Sequence, residues 1–104
     1  MRPAAIVVLG TALATACGAS NAPPSDTPRP PEQVYRETCG YCHGANVGPV
    51  IRGRQLPPAA VRPIVRQGSN AMPAFRPTEI SDSELDALAV WLEASEADPQ
   101  EQGQ

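Results

Sequence analysis

A chain of 104 residues leaves room for one domain, and 13 prolines with 41% apolar side chains leave that domain a small core of its own. The formal net charge of −3 comes with neither a basic run nor interleaved aromatics, which argues against a nucleic-acid surface.

Residues 1–16 read as a signal peptide. Arg2 gives a positive start, and Ala4 to Ala16 is an apolar run too short to span a bilayer. Ala14-Thr15-Ala16 then offers small residues at a cleavage point before Cys17. Cys17 admits two readings. Leu13 to Cys17 resembles a lipoprotein box, with Ala14 departing from its usual large aliphatic, and the cysteine would then be acylated. Otherwise Cys17 is a free thiol left behind on an exported chain, which is a liability, so lipidation is the expectation. Such an anchor would be the only membrane contact. Residues 17–31 carry five prolines among small and polar residues and read as an extended tether.

The folded unit is expected over residues 32–97. Its first helix is predicted from Pro31 to Thr38, with Pro31 at the first helical position and Glu32 favourable to the dipole. It leads to Cys39-Gly40-Tyr41-Cys42-His43, the C-x-x-C-H spacing of c-type haem attachment. Two thiols within one turn can add to the two vinyl groups of one porphyrin, and His43 can supply the proximal nitrogen. A thioredoxin-like redox pair would need a βαβ setting, which the surrounding sequence lacks. A zinc site would need four ligands, which one histidine and three cysteines, one in the leader region, do not readily provide.

Gly44 to Arg54 reads as loop, broken by Gly44, Gly48, Pro49 and Gly53. A middle helix is predicted over Pro58 to Gln67, ending at Gly68, with Val61, Ile64 and Val65 as its buried face and a kink or short first turn at Pro63. Ser69 to Thr78 is a second loop and carries Met72-Pro73-Ala74-Phe75. With the leader removed, Met72 is the one methionine, 29 positions after His43. All eight basic residues are arginine and no second histidine exists, so Met72 is the candidate sixth ligand. A thioether there raises the potential.

The last helix opens on the capping box Ser81-Asp82-Ser83-Glu84, followed by the stripe Leu85, Leu88, Ala89, Leu92. Trp91 is expected to pack on Tyr35. Residues 98–104 read as a flexible polar tail. Charge is uneven, because Thr38 to Thr78 holds five arginines and no acid. This basic middle is expected around the haem, with Arg54 the first candidate to balance a propionate and the rest able to steer an acidic partner.

These motifs resemble the class I cytochrome c family over residues 32–97. Val47 to Val50, Gly53 to Pro57, Ile64 to Gly68 and Ala71 to Phe75 are similar to its subgroup of cytochrome subunits from 4-cresol dehydrogenase, alkylphenol and eugenol hydroxylase complexes. The resemblance implies an all-α fold of about three main helices wrapped around one covalent haem c. It implies that the Pro49 carbonyl accepts the Nδ1 proton of His43. It also implies a subunit that is no enzyme by itself. Such a subunit takes single electrons from the FAD of a phenol-oxidising dehydrogenase and passes them to a periplasmic acceptor. The alternative is a free-standing respiratory carrier, lipid-anchored or not. Against a gas- or peroxide-binding haem stands the lack of a distal acid–base residue.

Overall fold

The computed structural model describes residues 27–104 and, ahead of them, Gly18 alone. The leader, Cys17 and most of the tether lie outside the described residues.

Pro31 opens α1 (Pro31–Val34) at a position where the missing N–H has no partner to lose. The helix does not end at Thr38. It widens into a π turn over Tyr35–Cys39 and continues as α2 (Gly40–His43), with right-handed helical angles at both junctions. The Gly40 N–H reaches back to the Tyr35 carbonyl, five residues earlier. A π turn admits one extra residue and so rotates the next helical turn by about 100° against a straight α-helix. In an unbroken helix Thr38, Cys39 and Cys42 would join Val34 and Tyr35 on the core face. Here Val34 and Tyr35 are buried, Cys39 is half-buried and Cys42 is exposed.

The middle helix, α3 (Pro58–Gln67), has the predicted bounds, and Gly68 closes it at φ 75° with its N–H on the Ile64 carbonyl at 2.7 Å. Pro63 neither ends nor restarts the helix. Both Pro63 and Ala59, whose carbonyl loses its helical donor, are exposed, so water can serve that oxygen. Val61 and Val65 are buried as expected, but Ile64 is 46% exposed. Val61 and Val65 are the two residues of this stripe that the protein's own core covers.

The last helix, α4 (Asp82–Ala94), starts on both hydrogen bonds of the capping box: Glu84 N–H to Ser81 Oγ at 3.2 Å and Ser81 N–H to Glu84 Oε2 at 2.9 Å. Leu85, Leu88, Ala89 and Leu92 are all buried, joined in the core by Ile80. Packing of α4 against both α1 and α3 makes an all-α fold with no strand among the described residues. Tyr35 and Trp91 meet at 5.3 Å between ring centroids, tilted by 46°, as the sequence led us to expect.

Two segments expected to be loose are fastened. Arg29, placed in the tether, gives its backbone N–H and its Nε to Glu84 Oε1 at 3.0 and 2.8 Å. In the segment expected as a flexible tail, Gln102 pairs with Ala45 in a parallel bridge. The reason is backbone satisfaction: loop groups that lack helical partners find them in this segment.

Candidate haem site

The attachment motif sits on α2 and the end of the π turn. Cys39 and Cys42 are free thiols, three positions apart on one helical turn. Burial raises the Cys39 thiol to about 11, with the neighbouring Cys42 adding to the rise. Tyr41 between them is 72% exposed.

Past His43 the chain doubles back. The Val47 and Gly48 N–H groups both point to the Cys42 carbonyl, at 3.3 and 2.9 Å, with Asn46 at φ 60° making the turn. This return puts the Pro49 carbonyl 2.8 Å from His43 Nδ1. A carbonyl only accepts, so Nδ1 carries the proton and Nε2 keeps its lone pair. Gly48 lies against the ring, where a Cβ would stand 3.3 Å from Nδ1.

Met72 closes a tight turn. Ser69 N–H donates to its carbonyl at 3.0 Å and its own N–H donates back to Ser69 at 2.9 Å, with Asn70 at φ 52°. Gly68 is required here, because a Cβ would approach the Met72 carbonyl oxygen to 2.7 Å at a left-handed φ of 75°. The Met72 side chain is half-buried against the core. Beyond the turn, Phe75 N–H bonds the Val65 carbonyl at 2.8 Å, tying the loop to α3.

Arg54 stands apart from this geometry. It is exposed, and its Nη1 reaches the Val50 carbonyl at 3.4 Å. The other arginines of the basic middle do not form an open patch. Arg52 pairs with Asp98 and Glu101, Arg62 with Asp86, Arg66 with Asp82 and Arg76 with Glu79. Acids from the flanking segments thus neutralise much of the charge that the sequence left for steering a partner. Arg66 and Arg52 are not among the expected haem-binding residues, yet each holds one of the two loops. No local pattern marks them, because their partners lie far along the chain.

The family model described as cytochrome c oxidase, cbb3-type, subunit III, matches residues 26–92. The chain belongs to this family of cytochromes c. Among curated relatives, the cytochrome c subunit of 4-cresol dehydrogenase [hydroxylating] from Pseudomonas putida is 43% identical over 63 residues, which cover 59% of this chain and 56% of the relative. The match thus spans little more than half the length of that relative. Two crystal structures of p-cresol methylhydroxylase are also similar, each at 40% identity. The one with substrate bound gives a TM-score of 0.60 over 64% of this cytochrome and 93% of that chain. The other, at 2.5 Å resolution, gives 0.59 over 62% and 92%. The resemblance read from the sequence therefore stands, and with it the fold class and the cofactor, haem c. The donor set fits that cofactor: two free thiols on one turn and an imidazole whose Nε2 is left free by the Pro49 contact. Among the described residues no helix is long and apolar enough to cross a membrane.

Proposed function

We propose that this cytochrome is the electron-transfer subunit of a periplasmic flavocytochrome. It takes electrons singly from the FAD of an alkylphenol-oxidising dehydrogenase of the 4-cresol type and passes them to a periplasmic acceptor, making no substrate bonds itself. The observation that carries the reading is the 43% identity to the cytochrome c subunit of 4-cresol dehydrogenase [hydroxylating].

In this reading Cys39 and Cys42 hold the haem as thioethers. His43 Nε2 would be one donor to the iron, with the Pro49 carbonyl fixing the ring through Nδ1. The Met72 sulfur would be the second side-chain donor to the iron, carried on the turn that Gly68 and Asn70 permit. Arg54 balances a propionate. When bound, haem c supplies a one-electron iron couple, and a thioether ligand biases it toward the ferrous state. Residues 1–16 direct export, residues 17–28 tether, and an acylated Cys17 anchors the domain at the membrane.

A second reading is favoured by the family description, which names a subunit of a respiratory oxidase. There the domain carries electrons in respiration instead of from a flavin dehydrogenase, and a free-standing carrier is one form of that reading. The test is twofold. Acid–acetone treatment should leave haem on the denatured chain, and haem that extracts would end the covalent assignment. Pull-down of the mature protein from its own periplasm should then bring a flavoprotein with its flavin spectrum, and stopped flow should show flavin-to-haem transfer. Recovery of respiratory components with no flavin would favour the carrier instead.

A further inference from the structure

The loop between His43 and Pro49 sets the imidazole, but few of its own backbone groups find partners within it. Residues 98–104 supply them. Asn46 N–H donates to the Gln102 carbonyl at 2.7 Å, and Gln102 N–H donates to the Gly44 carbonyl at 3.1 Å. Gln104 N–H reaches the Gly48 carbonyl at 3.3 Å, and Gln104 Nε2 reaches the Asn46 carbonyl at 3.2 Å. The segment lies so close that a Cβ on Gly103 would run into the Val50 nitrogen. Only glycine fits there.

The same segment is locked from its other side. Glu101 Oε1 accepts from the Tyr35 hydroxyl at 2.8 Å and pairs with Arg52 Nη1 at 3.5 Å, while Asp98 Oδ2 takes the same Nη1 at 3.1 Å. The Arg52 guanidinium stands 5.4 Å from the Trp91 ring and 5.9 Å from the Tyr35 ring, within cation–π range. Tyr35 begins the π turn that leads to Cys39, and Arg52 comes three positions after Pro49. The lock therefore joins the helix before the attachment motif to the loop after it. The family match ends at residue 92, before this segment.

We propose that residues 98–104 form a strap that positions His43 through its loop, with Glu101 and Gly103 as positioning residues for the iron–imidazole bond. The inference rests on the reading of His43 as proximal ligand. Four backbone or side-chain hydrogen bonds across residues 44–48 hold the return that aims the Pro49 carbonyl at Nδ1. Loosening the strap lets that carbonyl drift and weakens its pull on the Nδ1 proton, which changes the basicity of Nε2.

The test uses the full holoprotein and the variants Gly103→Val, Glu101→Ala and, as a control on an exposed strap position, Gln100→Ala. Amide hydrogen exchange at Asn46 reports the strap, and the hyperfine-shifted His43 ring protons of the ferric form, with the reduction potential, report the imidazole. In wild type the Asn46 amide is protected. Gly103→Val and Glu101→Ala speed its exchange at least tenfold, shift the His43 resonances and move the potential, while the Met72 methyl resonance stays in place. Gln100→Ala changes none of these. An unprotected Asn46 amide in wild type overturns the strap itself. Faster exchange with unmoved His43 resonances and potential overturns the positioning role. A wild-type His43 without hyperfine shifts removes it as ligand, and that result overturns the underlying reading as well as the strap's role.

Discussion

Arg66→Ala is expected to loosen the methionine loop from the middle helix, at a cost that can be worked from its partners. The Arg66 Nη1 donates to the carbonyls of Phe75 and Ile80 at 3.1 and 2.9 Å, and Nη2 donates to Asp82 Oδ1 at 2.6 Å. The arginine side chain is 23% exposed and that of Asp82 is 84% exposed. A hydrogen bond from a charged donor contributes about 1.5–3 kcal/mol, whereas an exposed ion pair contributes about 0–1 kcal/mol. One nitrogen serves both carbonyls, and water replaces part of what is lost, so the total lies nearer one such bond than two. Arg66→Ala should then cost about 2–4 kcal/mol, roughly 10–25 °C in Tm for a domain of this size. Asp82→Ala removes only the exposed pair and a first-turn acid, about 1 kcal/mol together. The assay is urea unfolding of the holoprotein, monitored at the Soret band and, with Met72 as the proposed sulfur donor, at the methionine–iron absorption band. In Arg66→Ala the methionine band should vanish at lower urea than the global transition, because the loop lets go first. Equal costs for the two variants would show that the ion pair, not the carbonyl staple, holds the loop.

Met72→Ala should lower the reduction potential and open the iron to carbon monoxide without releasing haem, and an unchanged reduced spectrum would leave Met72 a packing residue only. The Glu84 carboxyl lies at about 2 instead of 4.5, first because the Arg29 side chain donates to it, with the Arg29 and Ser81 backbone N–H groups assisting. Its folded pKa is depressed, so its contribution is full above the unfolded value and is lost as pH falls from about 4.5 to about 2. Thermal melts across that window should show a decline that Glu84→Gln flattens, and an equal acid slope in both proteins would refute the assignment. Pro63→Ala restores a helical N–H in α3 and should stabilise by about 1–2 kcal/mol, the gain of one interior helix bond less the lost rigidity of proline in the unfolded chain. A lower melting temperature would mean that the proline ring packs where the exposed surface shows none.

What the sequence made legible is what short-range rules govern. The capping box at Ser81 and Glu84 spans three residues, the stripe of α4 repeats within four, and Gly68 stops α3 for a purely local reason. The attachment motif is likewise local, since two thiols and an imidazole need only one turn of chain. The π turn at Tyr35–Cys39 was not legible, because no residue type marks an inserted residue and its effect is a rotation. The fastening of both chain segments was invisible because its contacts are remote, with 55 positions between Arg29 and Glu84 and 66 between Tyr35 and Glu101.

The remote fastenings share one chemistry. Arg29 meets Glu84, Glu37 and the Glu79 carbonyl; Arg52 meets Asp98, Glu101 and two aromatic rings; Arg66 meets two carbonyls and Asp82. A planar guanidinium with five donors can cross-link three groups in fixed directions, whereas a lysine ammonium is a mobile point charge. In a domain with so small a core, such cross-links stand where further apolar layers would stand in a larger one. The same choice protects the site. A lysine on either loop would offer the iron a competing amine, while an arginine stays protonated and does not ligate. The absence of lysine in this chain therefore serves two ends, holding the loops that carry His43 and Met72 and leaving these two proposed ligands without a rival nitrogen.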